Sequence, residues 1–414
     1  MSEHKHKMIM TEDTYIGQIP IDWQMGKYKY FAKSGMGLTI LKTDTTSTGV
    51  PIYSATQDSS IFGYIESPSL LLHYGDIVIP ARGNSIGCPT FIQDENATCA
   101  QTTIYSKVHY IEPKYLYYCC IGLKEFWFFY IQTAIPQITV TQVQNNKIPL
   151  PPLSEQKAIS NYLDEKCSKI DEIIAEATAS IKEYKELKQA IIFEAVTKGL
   201  DKNVPMKDSG VEWVGEVPSH WTLQRITTIY EESKETGRDD LPILLVSIHT
   251  GISDREIDDD ERDRKVIRSE DKTIYKVVHR NYLAYNMMRA WQGGFGASSV
   301  DGLVSPAYVV AKPKVKINSA YVENVLRTPN AIENIRGLSY GVAEFRLRLY
   351  WPYFKNIRIP VPPVEEQNAI VNYINIQSEQ IDALISEKQS LIEDLQAYKK
   401  SLIYEVVTGK RRVV

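Results

Sequence analysis

Apolar residues recur at alternating steps of three and four along two segments of the 414-residue chain. This spacing is typical of a coiled-coil seam. About 45 residues at ~1.5 Å each predict two rods of roughly 65 Å, which most simply pair with each other, and Gly199 and Gly409 mark the predicted helix ends. The seam positions are Ile170, Ile174, Ala177, Ile181, Tyr184, Ile191 and Ala195 in the first segment, and Ile381, Ile385, Ile392, Leu395, Leu402 and Val406 in the second.

Both helical segments start in the same way. The chain reads IPLPPLSEQKAISNYL from Ile148 and IPVPPVEEQNAIVNYI from Ile359. The prolines exclude helix, and the acidic side chains that follow them suit the positive end of a helix dipole. We therefore expect each helix to begin at the S-E-Q or E-E-Q step.

These segments belong to a long internal repeat. Ile148–Thr197 and Ile359–Thr408 align without a gap and share 20 of 50 residues, where chance would give about three. Lys188 and Lys399 occupy the same seam position, where they either fix the helix register or extend to solvent. Upstream, IGQIPIDW (Ile16–Trp23) matches VGEVPSHW (Val214–Trp221) at a spacing of 198 rather than 211. The chain therefore repeats one plan, consisting of a head, a variable body and a long tail.

The two bodies, residues 24–147 and 222–358, hold short alternating or β-branched runs punctuated by Gly, Pro and Asn. This pattern predicts two mixed α/β domains, each with a curved sheet. One local similarity links them, because HYGDIVIPARGNSIG (His73–Gly87) resembles HRNYLAYNMMRAWQGGFG (His279–Gly296). Each stretch reads as a strand that runs into a glycine-bearing loop with an arginine.

Composition limits the classes of protein to which the chain can belong. The net charge of −4 does not by itself indicate a nucleic-acid binder, although DNA responds to the local field of a cleft. Five cysteines without C-x-x-C spacing indicate a reduced cytoplasmic protein. We expect no signal peptide, and the aromatic-rich segment Tyr115–Ile131 reads as a core element rather than a membrane span.

The chemistry-bearing motifs of common enzymes are absent from the sequence. There is no phosphate-binding G-x-x-x-x-G-K-[ST], no H-E-x-x-H and no Asn/Asp-Pro-Pro-Tyr/Phe for base methylation. The acids of Asp258–Glu261 alternate with Arg255, Arg262, Arg264 and Lys265, which favours a solvated loop over a metal site. We predict no catalytic centre and no metal site in this chain.

Twice in the chain, a body opens on G-x-[IV]-P-x-x-W and closes on P-x-P-P-x-x-E-Q-x-A-I-x-N-Y, which a long helix follows. This arrangement resembles one known family. It is similar to the DNA-specificity (S) subunits of type I restriction-modification systems, from Ile16 to Lys410. The resemblance implies an α+β fold, in which two target-recognition domains are separated by two long helices that form an antiparallel coiled coil with pseudo-two-fold symmetry. The implied boundaries are 1–147 for the first recognition domain, 148–200 for the first spacer helix, 201–358 for the linker and second recognition domain, and 359–414 for the second spacer helix.

The same resemblance implies the partners. Each recognition domain reads one half of a bipartite, asymmetric site in double-stranded DNA, and the helices set the spacing and dock two methyltransferase subunits. Restriction subunits, which translocate and cut DNA, join the assembly. The chain itself is non-catalytic and binds no cofactor, whereas the partner subunits hold S-adenosylmethionine, ATP and Mg. The whole complex acts as an ATP-dependent restriction endonuclease and adenine methyltransferase in the cytoplasm.

Candidate DNA-reading residues are chosen by type, because Arg, Asn and Gln bond base edges bidentately and Ser and Thr mostly hold phosphates. We also consider Trp291 for stacking on DNA, but favour a place in the core for it. The candidates are Ser54, Thr56, Gln57, Arg82, Asn84, Ser85, Gln101 and Thr102 in the first body, and Arg289, Gln292, Ser298, Ser299, Arg346 and Arg348 in the second. For Arg346 and Arg348, a structural pairing with acids such as Glu344 competes with a phosphate contact.

Two alternatives stay open at this stage. The chain could serve a type II system whose nuclease and methyltransferase are fused in one polypeptide. It could also be a scaffold in which a coiled coil joins two protein-binding modules, which the negative net charge mildly favours. An autonomous nuclease is excluded for want of a catalytic cluster in the sequence.

Overall fold

Two long helices are the largest elements of the structure, a computed structural model that describes residues 7–13, 16–56, 60–127, 137–238, 240–255, 272–341 and 346–413. Helix α4 (Leu153–Lys198) has 46 residues and helix α9 (Val364–Val407) has 44, or about 69 and 66 Å at ~1.5 Å per residue. Both begin directly after a proline pair, one residue before the predicted S-E-Q and E-E-Q steps. Both end before a glycine in the left-handed conformation, with φ +73° at Gly199 and +71° at Gly409.

The chain divides into two compact units, each of which contains part of both long helices. Unit 1 comprises Met1–Thr178 and Gln389–Val414, and unit 2 comprises Ala179–Lys388. The strands of unit 1 are β1 (Met8–Met10), β2 (Gln18–Pro20), β3 (Gln24–Lys27), β4 (Ala32–Met36), β5 (Val50–Tyr53), β6 (Ile61–Ile65), β7 (Ile77–Pro80), β8 (Thr90–Phe91), β9 (Thr98–Cys99), β10 (Thr103–Val108) and β11 (Lys147–Leu150). Its shorter helices are α1 (Pro113–Gly122), α2 (Lys124–Trp127) and α3 (Val140–Asn145).

Unit 2 repeats this plan with different additional strands between the shared elements. Its strands are β12 (Met206–Asp208), β13 (Glu216–Pro218), β14 (Thr222–Arg225), β15 (Tyr230–Ser233), β16 (Val246–Ser247), β17 (Gly251–Ile252), β18 (Lys276–Val278), β19 (Leu283–Asn286), β20 (Phe295–Ala297), β21 (Gly302–Val304), β22 (Tyr308–Pro313) and β23 (Arg358–Val361). Its shorter helices are α5 (Ile226–Ile229), α6 (Ser319–Leu326), α7 (Pro329–Gly337) and α8 (Trp351–Phe354).

Each unit is built on a four-stranded antiparallel sheet, and the strands follow the same order in both. The order is β4-β10-β7-β8 in unit 1 and β15-β22-β19-β20 in unit 2. The bodies differ in their additional strands, which are the three-stranded sheet β6-β5-β9 in unit 1 and the pairs β16-β17 and β18-β21 in unit 2. The predicted mixed α/β bodies are confirmed, and their differences are confined to what is added to a shared framework.

The predicted seam is confirmed by burial, because all the seam positions named above are buried or half-buried while most of the helix surface around them is exposed. In unit 1, Lys399 of α9 donates to both carboxylate oxygens of Asp171 on α4, at 2.6 and 2.7 Å. In unit 2, Lys188 of α4 does the same to Asp382 on α9, at 2.8 and 2.7 Å. The two lysines are 211 positions apart, and so are the two aspartates. The ion pairs therefore follow the internal repeat. The helices are antiparallel, and the two lysines bind the facing helix rather than extending to solvent.

The repeated motif residues of unit 1 form a connected set of hydrogen bonds at the start of α4. The indole nitrogen of Trp23 donates to Glu155 Oε2 at 3.0 Å. Gln156 donates through Nε2 to the Pro151 carbonyl at 2.9 Å and accepts through Oε1 from the Glu112 amide at 3.0 Å, just before α1. Two adjacent side chains therefore tie the head, the proline segment and the body of unit 1 to the first turn of α4.

Unit 2 repeats these bonds at the start of α9. Trp221 Nε1 donates to Glu366 Oε1 at 3.0 Å. Gln367, which is 1% exposed, donates to the Pro362 carbonyl at 2.8 Å and accepts from the Asn318 amide at 2.8 Å. We call this arrangement the Glu–Gln junction in both units.

A buried tyrosine completes each Glu–Gln junction from the side of the body. The hydroxyl of Tyr115 lies 2.9 Å from the Pro149 carbonyl and 3.2 Å from that of Val407. In unit 2 the hydroxyl of Tyr321 lies 3.0 Å from the Val196 carbonyl and 3.1 Å from that of Pro360. Burial raises the pKa of both phenols well above the usual value, so they remain neutral donors. The body is thereby bound to the start of one long helix and to the end of the other.

We predict that Gln367→Met lowers the free energy of unfolding of unit 2 by about 2–4 kcal/mol, because it leaves a buried amide and a buried carbonyl without partners. Gln156→Met should have the same effect on unit 1. Equilibrium denaturation of the full chain measures both, with the exposed Gln380→Met on α9 as control. A change no larger than that of the control would mean that the Glu–Gln junction does not stabilise its own unit.

Candidate nucleic-acid interface

Several predicted residues of the first body meet where β5 and β7 end and β10 begins. Ser54, just after β5, and Thr102, just before β10, approach within 3.1 Å through their hydroxyls. The Ala81 amide donates to the Thr102 carbonyl at 2.9 Å, which places Arg82 beside this pair. Gln101 is exposed and accepts a hydrogen bond from Thr39 Oγ1 at 2.9 Å. Ser54, Arg82, Gln101 and Thr102 thus form one polar surface, which we call the unit 1 cluster.

The other candidates of the first body are placed less favourably. Asn84 is exposed in the turn after Gly83, and Thr56 is half-buried and donates to the Ser60 carbonyl at 3.1 Å. Ser85 is only 5% exposed, and its Oγ has no hydrogen-bond partner within the described parts of the chain. Gln57 lies outside the described residues.

In the second body the candidates surround the loop that follows β19. Arg289 Nη1 donates to Gln292 Oε1 at 2.6 Å, and Gly293 turns the chain with a φ of +85°. The Leu349 amide donates to the Met287 carbonyl at 2.9 Å, which brings the exposed Arg348 next to this loop. We call the surface formed by Arg289, Gln292 and Arg348 the unit 2 cluster.

The remaining candidates of unit 2 differ in exposure. Arg346 and Ser299 are exposed, whereas Ser298 is 3% exposed and donates to the Val300 carbonyl at 2.6 Å. Ser85 and Ser298 are therefore left out of the contact surface proposed below. Glu344, considered as a partner of the arginines, and the acids of Asp258–Glu261 lie outside the described residues.

Trp291 lies at the edge of the core rather than within it. Its ring is half-buried against the main cluster of unit 2, and the Arg336 guanidinium lies 5.9 Å from the ring centroid. Its indole nitrogen donates to the Met288 carbonyl at 3.1 Å. The tryptophan therefore holds the loop that carries Arg289 in place.

The two clusters occupy corresponding places in the two units. Strands β7 and β19 hold the same position in the strand order, and Arg82 and Arg289 follow their ends by two and three residues. The local sequence similarity between His73–Gly87 and His279–Gly296 thus reflects one structural position that carries different side chains.

Charge is distributed unevenly between the helices and the bodies. Helix α4 carries 7 Lys and 9 Asp or Glu, and α9 carries 3 Lys and 8 Asp or Glu, a sum of −7. The whole chain is −4, so the rest is +3. Residues 24–43 hold four lysines and no acid, and residues 276–300 hold Lys276, Arg280 and Arg289 and no acid. The bodies can therefore attract an anionic polymer although the net charge is negative.

The choice by residue type missed residues that the structure adds to the clusters. Thr39 orients Gln101, and Tyr340 exchanges two backbone hydrogen bonds of 2.9 Å with Arg348. Thr39 lies in the acid-free lysine run at 24–43, which was the available signal for it. No local signal links Tyr340 to Arg348.

Within the described part of the chain, no group of three or more His, Cys, Asp or Glu could hold a metal ion. Among the same residues no helix is long and apolar enough to cross a membrane. The five cysteines are free thiols, of which only Cys88 is exposed.

His279, which opens the repeated stretch in unit 2, lies between two carboxylates. Its Nε2 is 3.2 Å from Glu235 and its Nδ1 is 3.2 Å from Asp301, which also accepts from the Arg280 amide at 2.8 Å. Burial lowers the pKa of His279, but the hydrogen bonds and charges of the two carboxylates outweigh it and raise the pKa above the ordinary value. The hydrogen bonds from the Arg280 amide and from His279, together with the charge of Arg238, lower the pKa of Asp301.

We predict a pH-dependent contribution of His279 to the stability of unit 2. A raised pKa in the folded state stabilises unit 2 below the ordinary value of ~6.5, and this contribution is lost as the pH rises through the folded value. His279→Gln should remove it, by less than about 1 kcal/mol because the cluster is partly exposed. Denaturation of both proteins between about pH 5 and 9 tests this. Parallel pH curves for the two chains would contradict the prediction.

Comparisons with known proteins find similarity to one family. Residues 20–183 match the family model described as "Type I restriction modification DNA specificity domain". The chain is 24% identical to the MjaVIII type I restriction enzyme specificity subunit of Methanocaldococcus jannaschii, over 96% of this chain and 94% of that protein.

Solved structures share the fold over nearly the whole chain. One chain from a study of complex assembly and conformational transition of the type I R-M system superposes with a TM-score of 0.70 at 15% identity, covering 95% of this chain and 99% of that one. The HsdS subunit from Thermoanaerobacter tengcongensis gives 0.51 at 16% identity, covering 95% and 98%. By the family model over residues 20–183 and by its relatives over nearly the whole chain, this protein is similar to type I restriction-modification DNA specificity subunits.

Proposed function

We propose that this chain is the non-catalytic DNA-recognition subunit of a type I restriction-modification complex. The body of each unit reads one half of a bipartite, asymmetric site, and α4 and α9 set the distance between the halves. The observation that carries the proposal is a framework that is repeated down to single hydrogen bonds and that carries different loop sequences at corresponding places. Such a chain can carry two readers of different sequences on one repeated framework.

The two clusters supply the chemistry that direct readout needs. Arginine and glutamine side chains bond purine edges bidentately, while Arg, Lys, Ser and Thr can also hold phosphates and fix the register on the duplex. The unit 1 cluster offers Arg82, Gln101, Ser54 and Thr102, and the unit 2 cluster offers Arg289, Gln292 and Arg348, with Asn84, Ser299 and Arg346 nearby. A helix of about 69 Å exceeds one duplex turn of roughly 34 Å, so it can span half-sites in separate turns.

The helices also serve as the docking surface for partner subunits under this proposal. Two methyltransferase subunits bind there, and restriction subunits complete the assembly. S-adenosylmethionine, ATP and Mg belong to those partners. The assembled cytoplasmic complex then methylates adenine in its own site and cuts foreign DNA with the use of ATP.

The two alternatives gain no support from these observations. The family model and the relatives described above carry type I descriptions, rather than that of a fused type II enzyme. A protein-binding scaffold does not account for positively charged bodies next to negatively charged helices.

The test is to produce the chain with its methyltransferase subunits in a host and to map methylated bases genome-wide. We expect a split motif. Replacing residues 24–147 with the corresponding body of another specificity subunit should change one half of the motif and leave the other half and the gap unchanged.

Replacement of residues 222–358 is the matched control and should change the opposite half. Absence of methylation with the unaltered chain, or a change in both halves after either replacement, would contradict the proposal.

A further inference from the structure

Unit 2 exposes a stacked pair of tyrosines. The rings of Tyr340 and Tyr353 lie 5.6 Å apart between centroids at an interplanar angle of 21°. Tyr340 is 68% exposed and Tyr353 is 41% exposed. Neither hydroxyl forms a hydrogen bond to any described residue. One face of Tyr340 rests on its neighbour, and its high exposure leaves the other face in contact with water.

This stack belongs to the unit 2 cluster. The paired backbone bonds between Tyr340 and Arg348 make them directly opposed residues, whose side chains lie on the same face. The next residue, Leu349, is buried and its amide bonds Met287, two positions before Arg289. The stack is therefore fixed to the buried core beneath it and adjoins the arginine loop.

The surroundings of the stack favour an anionic aromatic ligand. Residues 346–363 hold Arg346, Arg348, Lys355 and Arg358 and no acid. A large exposed aromatic face keeps apolar surface in contact with water, and a stacked ligand removes that contact. Nucleobases of any sequence can stack on tyrosine. A positively charged rim holds phosphates on either side of a stacked base. DNA combines a π-face and closely spaced anions, which fits this surface better than the mixed charges of a protein partner.

We propose that the Tyr340–Tyr353 stack is a further DNA contact of unit 2, in which the free face of Tyr340 packs on a nucleobase at a partly unstacked step while Arg348 binds an adjacent phosphate. The inference rests on the proposed function of the chain. In this proposal the stack adds affinity for DNA without distinguishing between bases. Arg289 and Gln292 distinguish bases by hydrogen bonds. Tyr353 is a positioning residue, because it acts by holding the ring of Tyr340.

The test uses the full chain in complex with its methyltransferase subunits and a duplex that carries the mapped site. We expect Tyr340→Ala to bind this duplex about tenfold more weakly, which corresponds to the lower end of the stacking contribution of one base. Tyr340→Phe should bind within about twofold of the unaltered chain, because the ring is kept. The salt dependence should be unchanged in both variants, whereas Arg348→Ala should reduce the slope by about one phosphate contact.

A second readout locates the contact. 2-Aminopurine placed at successive positions in and around the half-site read by unit 2 should change fluorescence at one step on binding, and this change should vanish with Tyr340→Ala and persist with Tyr340→Phe. Tyr74→Ala is the matched control, because Tyr74 is 65% exposed in unit 1 and contacts Phe91 edge-on instead of stacking.

Three outcomes would overturn the inference. These are unchanged affinity of Tyr340→Ala, equal losses in Tyr340→Phe and Tyr340→Ala, and a loss that follows weaker binding of the methyltransferase subunits, which would make the stack a protein contact. Circular dichroism and the unfolding midpoint of each variant exclude misfolding. If the unaltered chain does not prefer its site over a scrambled duplex, the proposed function itself fails. If that preference stands and Tyr340→Ala binds normally, only this inference fails.

Discussion

The hydrogen bonds at the first turn of each long helix are the constraint on which the rest of the structure depends. Glu155 and Glu366 each accept from the tryptophan of the head, and the adjacent glutamine bridges the proline segment and the body. These side chains are largely buried, so an unmade bond has no water to replace it. The Glu–Gln junction therefore fixes where the body ends and the helix begins.

Each Glu–Gln junction also depends on the other long helix. Tyr115 and Tyr321 bind the carbonyl at the end of the opposite helix as well as the proline segment beside them. A body can be held in this way only if both helices are present and in register. The Lys–Asp pairs Lys399–Asp171 and Lys188–Asp382 favour that register from within the seam. The repeated residues thus specify a shared framework, which explains why they agree while the bodies differ.

Much of this framework could be predicted from the sequence because it depends on local rules. Proline pairs and acidic first turns give the helix starts, left-handed glycines give the ends, and the three-four spacing gives the seam. The bond between Trp23 and Glu155, which joins residues 132 positions apart, could not be predicted, because no local pattern records it. The same holds for the pairing of each seam lysine with a particular aspartate.

The candidate interface was less predictable, because residue type does not reveal burial. Arg82 is exposed and Arg289 is half-buried at corresponding places, whereas Ser85 and Ser298 are buried. Tyr340 joins the unit 2 cluster only through a backbone pairing made outside the motif. Loops of this kind vary freely because the strands beneath them supply the stability.

The central claim is that the two units read separate halves of one site. Its most direct test is to select bound duplexes from a random pool with the assembled modification complex and to sequence them. The account predicts two fixed blocks of bases separated by a constant gap, with Arg82→Ala relaxing one block only and Arg289→Ala relaxing only the other. A single block, a variable gap, or relaxation of the same block by both variants would contradict it.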